Sequence, residues 1–350
     1  MESLTIINEW SDRMIGRSIR VLERDPSLVF SIFYPTFKGD PVSGLDLYAP
    51  CQTEVATVLM EMGVNLENLN ITDNLTTSKS ATVKKGIYPV ILLSPGFGVE
   101  RDMYLGIISK IVPKGYMVVT ISAPHESVFT IYPDGSYIKQ ALEMAEIEST
   151  DYSSWDILLE CRIQSIISII EYLETLNRTD SELEGLFNLD KVAAVGHSLG
   201  GAAVLEVAKM DNLIKAAILL DPSFHLIRRD NELASVPVLL LRQEASTYIE
   251  MAASMNETIA FDYIDGQRYA FKSLKSATFC RVNGAQHMSF SDVPLHYSDH
   301  HALHIHAVTV EATTAFIEAV FHSGHMPSAL QLSETIVPIN SDGDLILIKR

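Results

Sequence analysis

Ser198 stands at the centre of Gly196-His197-Ser198-Leu199-Gly200, between Lys191-Val192-Ala193-Ala194-Val195 and the small-residue stretch 201–209. A serine hydroxyl is a poor nucleophile until a base takes its proton. The residues before the motif read as a short buried strand and those after it as a helix. A serine in a sharp strand-to-helix turn is presented at the top of a sheet, and the turn accounts for both glycines. A side chain at either one would collide with the neighbouring helix or strand. The spacing therefore points to Ser198 as a covalent nucleophile rather than part of a chance glycine-rich turn.

Such a nucleophile needs an acid, a base and two donors, and the chain offers each in order. Asp221 ends the run Ala216-Ala217-Ile218-Leu219-Leu220 and is the carboxylate at that strand end, although a plain turn residue before Pro222 would look the same. Its role would be to hold an imidazole in the correct tautomer and to stabilise its cation. His287 follows the last strand after a glycine turn, in Asn283-Gly284-Ala285-Gln286-His287. Six of the eleven histidines lie between His287 and His306, and His296 is the next candidate for the base. His300 and His304 stand four apart on an expected helix, but no glutamate completes a zinc pattern, so no metal and no cofactor is expected. Leu92-Leu93-Ser94-Pro95-Gly96-Phe97-Gly98 supplies a loop whose backbone can face the serine. The expected oxyanion donors are the N–H groups of Leu199 and Phe97.

These groups have to be carried by a scaffold. Arg17–Arg24 and Leu28–Pro35 read as two strands joined at Asp25-Pro26. From Tyr88 onward, strands (Tyr88–Ser94, Tyr116–Ser122, Lys215–Leu220, Val238–Leu241, Ala277–Val282) alternate with helices (Met103–Pro113, Trp155–Thr175, and a last one near Asp299–Phe321). That order implies an α/β class: an α/β-hydrolase fold with a mostly parallel central sheet, helices on both faces and a lid or insertion. Residues 1–350 are expected to form a single domain, with 39–86 as the candidate lid and 322–350 as a C-terminal extension. Within the lid, Val55, Val58, Leu59, Met62 and Leu66 fall at helical spacing over Thr53–Leu69, as an ordinary surface helix would also show. Specificity is expected in 39–86, Phe224–Ala234 and Ala245–Lys275, with Phe97, Phe224 and Met288 as apolar walls of the substrate pocket.

Composition narrows the partners. Apolar residues make up 47% and charged residues 20%, as in a globular chain with a large core. The net charge of −18 disfavours nucleic acid and anionic surfaces, and no run of 18 apolar residues reads as a membrane span. The N-terminal residues lack a basic and an apolar region, so a cytoplasmic location is the expectation. Sequons at Asn70, Asn74, Asn177 and Asn256 then read as chance matches, and Cys51, Cys161 and Cys280 as unpaired thiols. Oligomeric state is left open by the sequence.

Taken together, Tyr88–Gly98, Arg162 on the long helix, the elbow Gly196–Gly201, Leu220-Asp221-Pro222, and His287 followed by Phe290-Ser291-Asp292 resemble the platelet-activating factor acetylhydrolase-like group of α/β-hydrolases. The resemblance runs from about Arg17 to Phe321. It implies a calcium-independent serine esterase acting on short or oxidised acyl esters, with Ser198, Asp221 and His287 as triad and Phe97 and Leu199 as donors. The expected function is cleavage of a small or medium apolar carboxylic ester through an acyl-enzyme. A tailoring cyclase, lactonase or acyltransferase would use the same three residues.

Overall fold

The computed structural model describes residues 14–36, 51–66, 77–79, 81–210, 213–230, 234–297, 300–323 and 334–346. Its strands are β1 (Met14–Leu22), β2 (Asp25–Thr36), β3 (Thr77–Lys79), β4 (Tyr88–Ser94), β5 (Met117–Ile121), β6 (Phe129–Ile131), β7 (Tyr137–Lys139), β8 (Phe187–His197), β9 (Ala216–Leu220), β10 (Val238–Arg242), β11 (Ala277–Val282) and β12 (Ile336–Pro338). Among the described residues, ten of them form one sheet in the order β12-β11-β10-β9-β8-β4-β5-β2-β1-β3, and β6 and β7 form a separate hairpin. The block from β11 to β5 is parallel throughout. Antiparallel β12 and β2 border it. A parallel pair needs a crossover connection, and helices provide it.

The helices are α1 (Gln52–Glu61), α2 (Leu105–Ile111), α3 (Leu142–Ala145), α4 (Tyr152–Thr179), α5 (Leu199–Lys209), α6 (Tyr248–Ala252), α7 (Glu257–Ser273) and α8 (His300–Glu318). Because side chains alternate across a strand, each central strand feeds two cores. On β4, Val90 and Leu92 pack with Ile163 and Ile166 of α4, Val204 of α5 and Ile259 of α7 in one cluster. Ile91 and Leu93 pack with Val55 of α1, Ile108 of α2 and Phe316 of α8 in the other. Burial on both faces explains why these strands read as unbroken apolar runs. This is the α/β-hydrolase architecture expected from the sequence. Among the described residues no helix is long and apolar enough to cross a membrane.

Several elements differ from the expectation. The helix expected over Thr53–Leu69 stops at Glu61, because Gly63 adopts φ +82, which an α-helix cannot continue through; residues 67–69 lie outside the described residues. Its apolar positions Val55, Val58 and Leu59 are buried in the second core, so their spacing records packing against the sheet. The long helix begins earlier, at Tyr152, where the Asp151 side chain accepts from the Ser154 N–H at 3.3 Å. Helix α7 went unread in the segment Ala245–Lys275. Part of 322–350 enters the sheet as β12. The Asn177 side chain bonds both backbone groups of Phe187, and Asn256 caps α7; Asn70 and Asn74 lie outside the described residues. Cys51, Cys161 and Cys280 are all unpaired.

Candidate active site

Strand β8 passes into α5 through Ser198, whose backbone sits at φ 55 and ψ −119. A non-glycine residue there carries strain of about 1–3 kcal/mol, which the surroundings must overcome. The Ser198 N–H donates to the Leu220 carbonyl at 3.0 Å, and the Ser198 carbonyl accepts from the Ser223 N–H at 3.0 Å. Both glycines are sterically required. A Cβ on Gly196 would lie 2.3 Å from the Gly200 oxygen, and one on Gly200 would lie 2.3 Å from the Ser94 oxygen.

Asp221 follows β9 directly and is fully buried. Its Oδ2 lies 2.6 Å from His287 Nδ1, and His287 Nε2 lies 2.9 Å from Ser198 Oγ. An ionised carboxylate only accepts, so Nδ1 carries the proton and Nε2 is free to accept from the serine hydroxyl. Oδ1 accepts from the Gln243 N–H at 3.2 Å and lies 3.2 Å from Arg242 Nε. Burial opposes ionisation of Asp221, but the Arg242 charge and the His287 hydrogen bond outweigh it and hold the carboxyl below the usual range. His287, not His296, is therefore the imidazole that bonds both the serine and the acid.

The loop that bears His287 is fastened to the start of α2. Asp292 donates its N–H to the Met103 carbonyl at 2.8 Å, and its carboxylate accepts from the Leu105 N–H, from the Gly106 N–H at 3.3 Å and from His306 Nε2 at 2.8 Å. Phe290, from the same stretch, is buried against the His197 ring. The Phe290-Ser291-Asp292 stretch singled out in the sequence thus anchors the loop that carries His287.

His197 itself, the second residue of the pentapeptide, carries a relay that the sequence did not suggest. The Gly96 N–H donates to the Tyr104 hydroxyl at 2.9 Å, and that hydroxyl lies 2.9 Å from His197 Nδ1. His197 Nε2 lies 2.9 Å from the His287 carbonyl. A carbonyl cannot donate, so Nε2 carries the proton and Nδ1 accepts from Tyr104. Burial, aided by His287 nearby, pushes the His197 imidazole down to about 3, which keeps it neutral. One chain of hydrogen bonds thereby joins the loop before α2, the elbow and His287.

The same relay bears on the two N–H groups expected to act as oxyanion donors. With the Gly96 N–H committed to Tyr104, the next free N–H in that loop is that of Phe97, which has no protein acceptor among the described residues. The Leu199 N–H is the first of α5 and has no partner within the helix. From the other side, Arg162 donates to the Pro95 carbonyl at 3.0 Å and is itself held by Glu126 through three contacts of 3.0–3.2 Å. Two donors on a fixed loop and a helix N-terminus suit a developing oxyanion.

A cavity of about 260 Å³ opens beside Ser198, lined by Phe97, Ser149, Trp155, Leu199, Ser223, His225, Leu226, Met255, Asn256, Ile259 and Tyr263. No lysine, arginine, aspartate or glutamate lines it, and burial pushes His225 down to about 4, so it is uncharged. Phe97 meets Trp155 edge-on at 4.9 Å, and His225 stacks on Tyr263 at 4.5 Å. Two expectations are corrected at this point. Phe224 is fully buried beneath the Arg242 guanidinium, and Met288 packs into the second core, so neither lines the cavity. The described part of 39–86 contributes nothing to it either, because α1 lies with α2 and α8 in the second core, apart from the α4 and α7 residues that wall the cavity. The segments Phe224–Ala234 and Ala245–Lys275 do reach it, through His225, Leu226, Met255, Asn256, Ile259 and Tyr263.

The chain is similar to several known proteins. A family model described as platelet-activating factor acetylhydrolase, isoform II matches residues 167–310, which include the elbow, Asp221 and His287. The chain is 24% identical over 223 residues to a platelet-activating factor acetylhydrolase of Cavia porcellus, covering 59% of this chain and 48% of that protein. It is 27% identical over 134 residues to a probable 1-alkyl-2-acetylglycerophosphocholine esterase of Arthroderma benhamiae, covering 38% of this chain and 31% of that protein. The chain thus spans half or less of the length of these curated relatives. Among solved structures, a ferulic acid esterase from Streptomyces cinnamoneus superposes with a TM-score of 0.68 at 21% identity, over 92% of this chain and 94% of that one, a likeness of fold.

Proposed function

We propose that this α/β-hydrolase, similar in sequence to the platelet-activating factor acetylhydrolases, cleaves carboxylic esters of small or medium apolar substrates through an acyl-enzyme on Ser198. The observation that carries this reading is the hydrogen-bonded chain from Ser198 Oγ to His287 at 2.9 Å and on to Asp221 at 2.6 Å, set at the mouth of an uncharged cavity. His287 Nε2 takes the hydroxyl proton as Oγ attacks the acyl carbon. The Phe97 and Leu199 N–H groups stabilise the resulting oxyanion, and His287 returns its proton to the departing alkoxide. Water, deprotonated by the same imidazole, then releases the acid and restores the serine. Asp221 stays ionised and keeps Nε2 aimed at the serine.

The cavity favours an apolar acyl group without charge. A charged group placed there would lose its hydration with no counter-ion in the lining, at a cost of several kcal/mol. A fluorophosphonate probe followed by a chain-length series of p-nitrophenyl esters tests the reading. The wild-type chain is expected to be labelled and to release free acid, and Ser198→Ala is expected to lose both while keeping its thermal melt. Turnover undiminished in Ser198→Ala would end the proposal, and a new ester in place of free acid would mark an acyltransferase.

A further inference from the structure

We propose that Arg242 is a positioning residue for the acid–base pair, seating the Asp221 carboxylate through the oxygen that His287 does not use and offsetting its negative charge. The inference rests on the serine-hydrolase reading of Ser198, Asp221 and His287. Arg242 ends β10, which runs parallel to β9 with Leu241 paired to Leu220, so Asp221 and Arg242 leave neighbouring strands side by side. Both are 0% exposed, and Nε lies 3.2 Å from Oδ1.

Few donors of the guanidinium are satisfied by aligned hydrogen bonds. Nη2 reaches the Ala245 carbonyl and the Met251 sulfur at 3.4 Å each, while Nε and Nη1 have no well-aligned acceptor. The group is held instead between rings, 5.2 Å from the Phe224 centroid and 5.6 Å from that of Tyr263. Its place is therefore set by packing, and its action on Asp221 is that of a fixed charge. A buried arginine so poorly bonded is costly, and it gains its compensation from the carboxylate.

The groups facing the pair are His197 from β8, His225 from the turn after β9, Tyr263 from α7 and Arg242 from β10. His197 and His225 are neutral in the working range, and burial pushes the Tyr263 hydroxyl up to about 12. Arg242 is thus the permanent charge among them. A buried carboxylate alone would hold the imidazolium proton tightly, whereas a neighbouring cation weakens that hold. Removing the cation moves the acid limb of activity to higher pH.

The test reads fluorophosphonate labelling rate and p-nitrophenyl acetate kcat/KM against pH for wild type, Arg242→Gln and Arg242→Lys. Arg242→Gln is expected to move the acid limb up by about one pH unit. Arg242→Lys is expected to restore the limb while recovering only part of kcat, because an ammonium keeps the charge but not the planar stacking. A folded Arg242→Gln with the wild-type limb overturns the proposal, as does an Arg242→Lys limb moved as far as that of Gln. Should Arg242→Gln not fold alone, thermal melts in the Asp221→Asn background decide: a smaller loss of Tm there than in the parent supports the coupling, and an equal loss overturns it. Failure of the hydrolase reading shows differently, as wild-type Ser198 that is never labelled.

Discussion

Gly200 shows how far a single hydrogen atom is constrained at the elbow. Its Cα hydrogen points at the end of β4, where an added methyl would lie 2.3 Å from the Ser94 oxygen and 2.6 Å from the Pro95 oxygen. Backbone on both sides cannot yield as a flexible side chain would, so either α5 or the loop that carries Phe97 must move. Gly200→Ala is therefore expected to lose about 2 kcal/mol or more of stability and at least 100-fold in labelling rate, since a shift of about 1 Å in a catalytic group suffices for that. Thermal melts and labelling kinetics check this, and a variant matching wild type in both would show that the elbow is looser than its geometry. Gly201 is a milder case, its nearest contact being Pro222 Cβ at 2.9 Å.

At the scale of elements, the site is a meeting of strand ends held together by loop-to-loop bonds. β8 leads into Ser198, β9 into Asp221, β11 towards His287 and β4 towards Phe97. None of these strands touches all the others, because β11 is separated from β8 by β10 and β9. The Tyr104–His197 relay and the Asp292 clasp span that gap. Tyr104→Phe removes one hydroxyl, frees the Gly96 N–H and leaves His197 Nδ1 without its donor, while keeping the ring buried. The expected result is a fall in kcat of about 10- to 100-fold with KM little changed, because the relay positions the machinery and does not line the cavity. Steady-state kinetics on p-nitrophenyl acetate check it, and a change confined to KM would assign Tyr104 to substrate binding instead.

For the whole molecule, burial of ionisable groups sets a pH dependence of stability. His197 is held at about 3 and His225 at about 4 against an ordinary 6.5, so the unfolded chain binds more protons than the folded one between about 3 and 6.5. Stability from these groups is complete above 6.5 and is lost as the pH falls through that window, with His197 alone contributing about 5 kcal/mol. Glu100 acts in the opposite sense. Burial, opposed by the Arg101 charge and aided by that of Asp102, raises it to about 7, so its share is present below about 4.5 and is lost as the pH rises through 7. Burial lowers His296 as well and raises Glu206, so three histidines oppose two carboxyls, and Tm is expected to fall steadily from pH 6.5 to pH 4. Calorimetry across that interval checks the sign, and a Tm that rises on acidification would show that the carboxyls dominate.

The parallel sheet, most of the element order and the convergence of Ser198, Asp221 and His287 were legible in the chain, whereas α7 and β12 were not. Local sequence dictates them: strands buried on both faces read as unbroken apolar runs, and a strained elbow admits only glycine at two places. The extent of α1 was misread because helical spacing does not say which face of the sheet a helix covers, and because Gly63 ends it. Phe224 and Met288 were misplaced for a related reason, since proximity in sequence to a catalytic residue does not say on which side of the backbone a ring packs. Arg242, Tyr104, His197 and the walls of the cavity were decided only by tertiary structure. Their roles depend on contacts between residues 21 to 93 positions apart, brought together when strand order places β10 beside β9 and when Tyr104, at the start of α2, meets His197 of the elbow. A sequence carries no register for such contacts until the sheet is assembled.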